Sequence, residues 1–257
     1  MLGTGAAYAG PGQASSGYLV KEGTTSLLLD CGNGVVSRLQ EAGELEGLTA
    51  LLFTHLHADH LLDVFPLFYS RVYGGKQYPP LPVFLPPGES DRFARIAEVL
   101  RVEPRKLFEG AFHTSEFDAA GMTLDGLKLA FNRNRHPVPT YSVRIEKYPI
   151  SVVYTADTGP YDELADFARN CSLLLSEASL SEQDYDPEHP LHLTPRLAAT
   201  VAKKARVRRL LLTHLWPHYD RQTMLTQAQK VFPATELAEE LQRYVIARIG
   251  PPGQRLG

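Results

Sequence analysis

At 257 residues, 44% hydrophobic and 21% charged with a formal net charge of −3, the chain fits one large domain, residues 1–257. That balance calls for no polyanionic partner, no apolar run approaches the roughly 18 residues of a membrane span, and no basic-then-apolar leader opens the sequence. Cys31 and Cys171 are the only cysteines, which argues against a disulfide framework and for a soluble, cytoplasmic protein.

In chain order, "MLGTGAAYAG" enters a Gly-rich turn after two residues, so a first strand is either missing or unusually short. These glycines look like a dinucleotide fingerprint only superficially, because no helix or matching acidic residue follows them. "SLLLD" (26–30) reads as a strand, "GVVSRLQEAG" as a helix, "ALLFT" (50–54) as a strand, and the stretch after Asp59 as a helix. Proline and glycine punctuate 73–90, a loop region that holds a short strand, "PVFL" (82–85). A helix over "ESDRFARIAEVL" precedes strands at "LKLAF" (127–131), "YSVRI" (141–145) and "ISVVYTA" (150–156). The helix "YDELADFAR" and the strand "SLLLS" (172–176) come next. "TPRLAATVAKKA" begins with Thr194 as N-cap and Pro195 in the first turn, and "RLLLT" (209–213) is a strand. Asp220 caps the helix "DRQTMLTQAQKVF", and the stretch from Thr235 to Ile249 fits helix or strand. The alternation argues for an α/β fold, and no repeat or composition shift marks a domain boundary.

Five chemistry-bearing residues follow strands in this reading. His55 follows "ALLFT", Asp157 follows "ISVVYTA", Glu177 follows "SLLLS", His214 follows "RLLLT", and His136 follows "LKLAF" after a short polar link. Ligand sites of α/β sheets lie beyond the carboxyl ends of strands, where loops converge. Singly, each is equally well a buried, hydrogen-bonded polar residue; the set points to a site. In "HLHADH", His55 and His57 can face one ion, while Asp59 and His60 turn towards a second position as a helix begins. Neutral imidazoles and carboxylates suit Zn²⁺, Mn²⁺ or Fe²⁺, and paired ions can activate a water while holding the attacked group. Capping and surface histidines are the plain alternative.

With these residues in view, the chain resembles the metallo-β-lactamase fold superfamily, and within it the ribonuclease Z-like branch. The blocks that carry the likeness run in the family's order: "LGTGAAYAGPGQASSGYLV", "LLLDCGNGV", "THLHADH", "RHPVPTYSVRIE", "VVYTADTG", "LLLSEASL", "HLTPRLAATVA" and "LLLTHLWP". The resemblance implies an αββα sandwich of two mixed β-sheets with helices outside and a dinuclear site along one edge. It implies two divalent metal ions, Zn²⁺ first and Mn²⁺ or Fe²⁺ as alternatives. His55, His57 and His136 would hold one, Asp59, His60 and His214 the other, and Asp157 would bridge. Asp59, Glu177 and His192 form the implied catalytic set. Glu177 resembles the acid of the family's His-Glu-Ala-Thr block, with Ser176 standing in for the usual His. His192 lies 22 positions before His214, as the family's proton-transfer histidine does. A carboxylate beside an imidazole raises its pKa and orients it to protonate a leaving oxygen.

The branch's tRNA-trimming members carry a long arm between the third-ligand and bridging-Asp blocks. Here only 21 positions separate His136 from Asp157, two strands and a turn. Affinity for a large polyanion needs many phosphate contacts, so a small phosphodiester substrate, with cyclic nucleotides included, leads, and cleavage of RNA 3′ ends is the alternative. Hydrolysis of another ester on this fold and a non-catalytic metal- or nucleotide-binding role remain open. No membrane partner is expected, and a homodimer follows from the family alone.

Other residues carry weaker readings. Asp30 either orients a ligand histidine or caps a turn, and Cys31 reads as packing. Tyr69, Tyr73 and Tyr78 suit either a stacking surface for a base or core and subunit contacts. "KKARVRR" (203–209) reads as a helix C-terminus and solvated turn, or as a nucleic-acid patch. His113 and His189 have no assigned role, and His218 in "WPHY" could meet a phosphate.

Overall fold

The leucine runs form the inner strands of two facing sheets in the computed structural model, which describes residues 1–100 and 104–247. The first sheet is ordered β1-β2-β3-β4-β5, from β1 (Tyr18–Glu22), β2 (Thr25–Leu29), β3 (Ala50–Leu52), β4 (Leu81–Leu85) and β5 (Phe112–Glu116). Its β1–β2 pair is antiparallel and the others are parallel. The second holds β6 (Met122–Leu124), β7 (Leu127–Arg133), β8 (Tyr141–Lys147), β9 (Ile150–Tyr154), β10 (Leu173–Glu177), β11 (Leu210–Thr213) and β12 (Thr235–Leu237). These are ordered β12-β11-β10-β9-β8-β7-β6, parallel from β12 to β9 and antiparallel beyond.

Period-two alternation explains why the inner strands are apolar on both sides. Leu27, Leu29 and Leu52 of the first sheet meet Leu129, Val143, Leu173, Leu175 and Leu211 of the second in one cluster between the sheets. The intervening residues face outwards. Leu28 and Leu51 pack with Val35, Leu39, Leu61, Phe68, Phe93 and Phe108, from helices α1 (Val35–Glu41), α2 (Ala58–Leu61), α3 (Val64–Tyr73), α4 (Ser90–Leu100) and α5 (Arg105–Ala111). Leu174, Leu210 and Leu212 pack with Leu164, Ala198, Ala202 and Met224, from α6 (Glu163–Phe167), α7 (Pro195–Ala205) and α8 (Arg221–Gln229). The layers are therefore helix, sheet, sheet, helix. Each fully buried leucine contributes about 1.5–3 kcal/mol.

Both helix starts appear as read: Thr194 accepts from Leu197 N at 3.3 Å and Asp220 from Thr223 N at 2.8 Å. The helix expected after Asp59 instead begins at Ala58 and is broken into α2 and α3, with Asp63 between them accepting from Val36 N at the start of α1. Strands β1, β5 and β6 and helix α5 had escaped the pattern. Edge strand β5 is mostly solvated, β6 has three residues, and α5 is a short helix containing Gly110. The ambiguous C-terminal stretch gives β12 and then no helix or strand as far as residue 247; its end lies outside the described residues. Gly3 and Gly5 form only isolated bridges, to Gly17 and to Ser15 and Leu215. No helix among the described residues is long and apolar enough to cross a membrane.

Candidate metal centre

The residues expected at strand ends converge on one edge of the sandwich. His55, Asp157, Glu177 and His214 lie at or just beyond the carboxyl ends of β3, β9, β10 and β11, and His136 lies beyond β7. Three non-glycine residues at these turns hold left-handed backbone: Asp30 (φ 57), Ala156 (φ 49) and His214 (φ 55). Each such turn costs on the order of 1–2 kcal/mol, and such strain gathers where surrounding structure fixes a functional side chain.

Among the described residues, three sets of side-chain donor atoms result, each lying within 4.8 Å of one another: His55, His57, His136 and Asp157; Asp59, His60, Asp157 and His214; and Glu177, His192 and His214. All seven candidate ligands thus fall into the first two, which share Asp157. In the first, His57 Nδ1 stands 3.2 Å from His55 Nε2 and 3.3 Å from His136 Nε2. In the second, His214 Nε2 stands 3.2 Å from His60 Nε2 and 3.1 Å from Asp59 Oδ2. Asp157 Oδ2 turns to His55 Nε2 at 3.7 Å, and Oδ1 to His60 and His214 Nε2, both at 3.4 Å.

Proton bookkeeping shows what these atoms lack. Thr54 Oγ1 donates to Asp30 Oδ2, so it accepts from His55 Nδ1 at 3.1 Å and leaves His55 Nε2 as a lone pair. His60 Nδ1 donates to Asp30 Oδ2 at 2.8 Å. Ser179 Oγ donates to Glu177 Oε2 and therefore accepts from His214 Nδ1 at 2.7 Å. His136 Nδ1 points to the Leu191 carbonyl at 3.4 Å. Neutral rings so oriented aim lone pairs at one another and at carboxylate oxygens. Burial holds His55, His57 and His136 below the usual imidazole pKa, which favours that neutral state. Asp157 Oδ1 is buried with no hydrogen-bond partner. Asp30, Asp59, Asp157 and Glu177 are all buried carboxylates, and among the described residues no Lys or Arg pairs with any of them.

Such a site calls for cations. Donor atoms bound about 2.0–2.2 Å from a tetrahedral ion stand about 3.4 Å apart, and the distances above bracket that figure. The residues therefore fit divalent metal ions. Electrostatics agree: burial opposes charge on His60, yet Asp157, Asp59 and Asp30 hold its pKa well above the ordinary value. Burial likewise opposes ionisation of Asp59, but His60 and His214 draw its pKa down to about 2.

In the third set, Glu177 is fully buried and accepts from Thr158 N at 2.6 Å, Ser179 Oγ at 2.6 Å and His192 Nδ1 at 3.0 Å. His192 is a quarter exposed, and its ring faces His136 at 5.3 Å. Burial lowers its pKa, but the Glu177 carboxylate outweighs that and lifts it to about 9. Ser176, which stands where the family pattern has His, is buried and donates to the Glu177 carbonyl at 2.9 Å. Gly159 knits three loops together. Its N–H donates to Arg135 O at 2.9 Å, and a Cβ there would sit 1.7 Å from Pro190 O, two residues before His192.

Asp30 takes the orienting role: besides His60 it accepts from Thr54 N at 2.8 Å, Thr54 Oγ1 at 2.9 Å and Tyr154 Oη at 3.1 Å. Thr54, Tyr154, Thr158 and Ser179 lie within the quoted blocks, yet the sequence reading gave them no role; their contacts with Asp30, His55, Glu177 and His214 come from the fold. Burial pushes the Cys31 thiol well up and Cys171 to about 12, as packing residues. Tyr69 packs against the outer core and Tyr73 is 61% exposed on α3, on the helical layer. Lys203 and Lys204 fall in the last turn of α7, Arg206 is its left-handed C-cap, and Arg209 pairs with Glu236. His113 and His189 are exposed, and His189 pairs with Asp186.

A family profile described as "Beta-lactamase superfamily domain" matches residues 25–215. The chain is 31% identical over 224 residues to the probable metallo-hydrolase YhfI of Bacillus subtilis, covering 86% of this chain and 87% of that protein. The crystal structure of YhfI superposes with a TM-score of 0.83 at 29% identity, over 93% of this chain and 95% of the other. A ribonuclease Z of Mycobacterium bovis is 31% identical over 242 residues, covering 84% of this chain and 85% of its own. The short form of human tRNase Z superposes with a TM-score of 0.73 at 25% identity, covering 96% and 98% of the two chains.

Proposed function

The chain belongs to the metallo-β-lactamase fold superfamily, and from that premise we propose that it is a dinuclear metal-dependent hydrolase of a small phosphodiester. The observation that carries the reading is the buried Glu177–His192 pair, 3.0 Å apart, set beside two donor sets that share Asp157. In this reading His55, His57 and His136 hold one ion, Asp59, His60 and His214 the other, and Asp157 both. Bound there, the two cations would supply an activated water and offset charge on the phosphoryl oxygens.

The chain's own residues do the rest. Asp30 and Ser179 fix the tautomers of His60 and His214 so that both Nε2 atoms offer lone pairs. Glu177 holds His192 through Nδ1, which leaves Nε2 to carry the proton handed to the departing oxygen. An alkoxide leaves badly without that proton. Zn²⁺ suits the imidazole-rich donor set, with Mn²⁺ or Fe²⁺ as alternatives. The interval between His136 and Asp157 supports a small substrate, being filled by β8 and β9 joined across Tyr148 and Pro149. Turnover of bis(p-nitrophenyl) phosphate by the metal-loaded protein, abolished in Asp157→Ala, is the expected result. A protein that binds two ions per chain and turns over no phosphodiester overturns the reading.

The likeness to a ribonuclease Z and to human tRNase Z favours one second reading, cleavage of RNA 3′ ends. Precursor tRNA cut much faster than any small phosphodiester, with steep salt dependence, would put it first.

A further inference from the structure

The segment after His214 carries rings that the reaction above leaves unused. Leu215 N donates to Thr4 O at 3.1 Å and Ala6 N donates to Leu215 O at 3.3 Å, which pins the opening loop beside this segment. Tyr8 thereby meets Trp216, ring centroids 5.2 Å apart and planes at 61°, and its Oη bonds His218 Nδ1 at 3.0 Å. A phenol oxygen and an imidazole nitrogen bond in the planes of their rings. With those planes 16° apart and centroids 6.5 Å apart, the two rings lie edge to edge as one nearly flat plate rather than as a stack. Tyr219 braces His218 at 4.3 Å and is itself anchored by its Oη donating to Asp184 at 2.8 Å. The plate is held by its neighbours yet open to water: Tyr8 is 50% exposed and His218 is exposed. Trp216 is two residues from His214, so their Cα atoms are at most about 7 Å apart.

We propose that the Tyr8–His218 plate, edged by Trp216, is the subsite that stacks the base of a nucleotide substrate. The assignment rests on the phosphodiesterase reading for the scissile group and adds what that reading lacks, the chemistry of the rest of the substrate. A flat, solvent-facing π surface on the segment that follows His214 matches a base, whose own faces are flat and poorly solvated. The imidazole of His218, which could also meet a phosphate, bonds Tyr8 edge-on through Nδ1 and presents a ring face beside it.

Two variants outside the reacting centre, Tyr8→Leu and His218→Ala, test this. The probes are adenosine 2′,3′-cyclic phosphate and 1-O-methylribose 2′,3′-cyclic phosphate, which lacks the base. Each variant is expected to raise KM for the adenosine compound about tenfold with little change in kcat, and to leave the abasic compound within about twofold. Trp216 is the only tryptophan, so its emission gives a second readout that needs no turnover. Adenosine 5′-monophosphate should quench it in the wild-type protein and much less in Tyr8→Leu. Equal losses on both cyclic phosphates, or emission indifferent to the nucleotide, would overturn the subsite. If the wild-type protein hydrolyses neither compound but shows the quenching, and Tyr8→Leu loses it, the reaction assigned above falls while the subsite stands.

Discussion

Replacing Gly32 with alanine should disarm the centre without touching any donor atom. The loop that carries Asp30 crosses the start of α2 there. Cys31 N donates to His60 O at 2.7 Å and Asp63 N donates to Cys31 O at 3.0 Å, so the residue next to the crossing is bonded twice to the α2 segment. A Cβ at Gly32 would stand 1.9 Å from Asp59 O, and such contacts essentially never fall below 3.0 Å, so the backbones must part by about 1.1 Å. Metal sites tolerate deviations of about 0.2 Å in ligand distance, and a misplacement of about 1 Å costs on the order of 100-fold in rate. Overpacking alone destabilises by about 1–3 kcal/mol, which leaves a domain of this size folded. The expected phenotype is a folded Gly32→Ala protein that binds metal weakly at the Asp59–His60 side and turns over bis(p-nitrophenyl) phosphate roughly 100-fold more slowly. Metal content after dialysis, by atomic absorption, and initial rates measure both effects. Gly110→Ala is the control: nothing lies within 4 Å of its Cβ, so it should keep full activity and gain a few tenths to about 1 kcal/mol in α5. Two ions per chain at wild-type affinity and a rate within threefold in Gly32→Ala would refute the reasoning.

Asp30→Asn should weaken metal affinity by about 10- to 100-fold, because the amide cannot accept from His60, Thr54 and Tyr154 as the carboxylate does; unchanged affinity in a competitive chelator titration would contradict that. Glu177→Gln is expected to retain metal while kcat for poor leaving groups falls about 10²- to 10⁴-fold, and p-nitrophenol esters, which need little protonation, should suffer less. Equal losses on both substrate types would argue that Glu177 acts elsewhere. Chelation strips the charge that balances the buried carboxylates and should lower Tm by on the order of 10 °C in differential scanning calorimetry, restored by Zn²⁺. A Tm indifferent to chelator would speak against bound ions as a structural element.

Much of this was legible in the chain. Runs such as "LLL" at 27–29, 173–175 and 210–212 alternate between an inner and an outer apolar cluster, and strands buried on both faces need helices on both sides of the sandwich. That pattern also marked the strand ends, and with them His55, Asp157, Glu177 and His214. Weakly patterned elements were missed because what holds them is remote. β5 is an edge strand whose register comes from β4, and α5 is short and fixed by Phe108 packing on Phe68 and Phe93.

Local order along the chain therefore dictates which residue types stand at each turn, since helical and strand periodicities act over a few positions. What those residues can do is decided by packing between distant segments. Asp157 shows one oxygen to each donor set only because β9 lies beside β10 and its turn is forced into the left-handed region at Ala156. His60 and His214, 154 positions apart, point lone pairs at one spot because Asp30 and Ser179 hold their other nitrogens. The Tyr8–His218 plate spans 210 positions, and nothing in "AAYAG" or "WPHY" alone announces it. A proton's direction depends on the partner across the cleft, and only the folded chain supplies that partner.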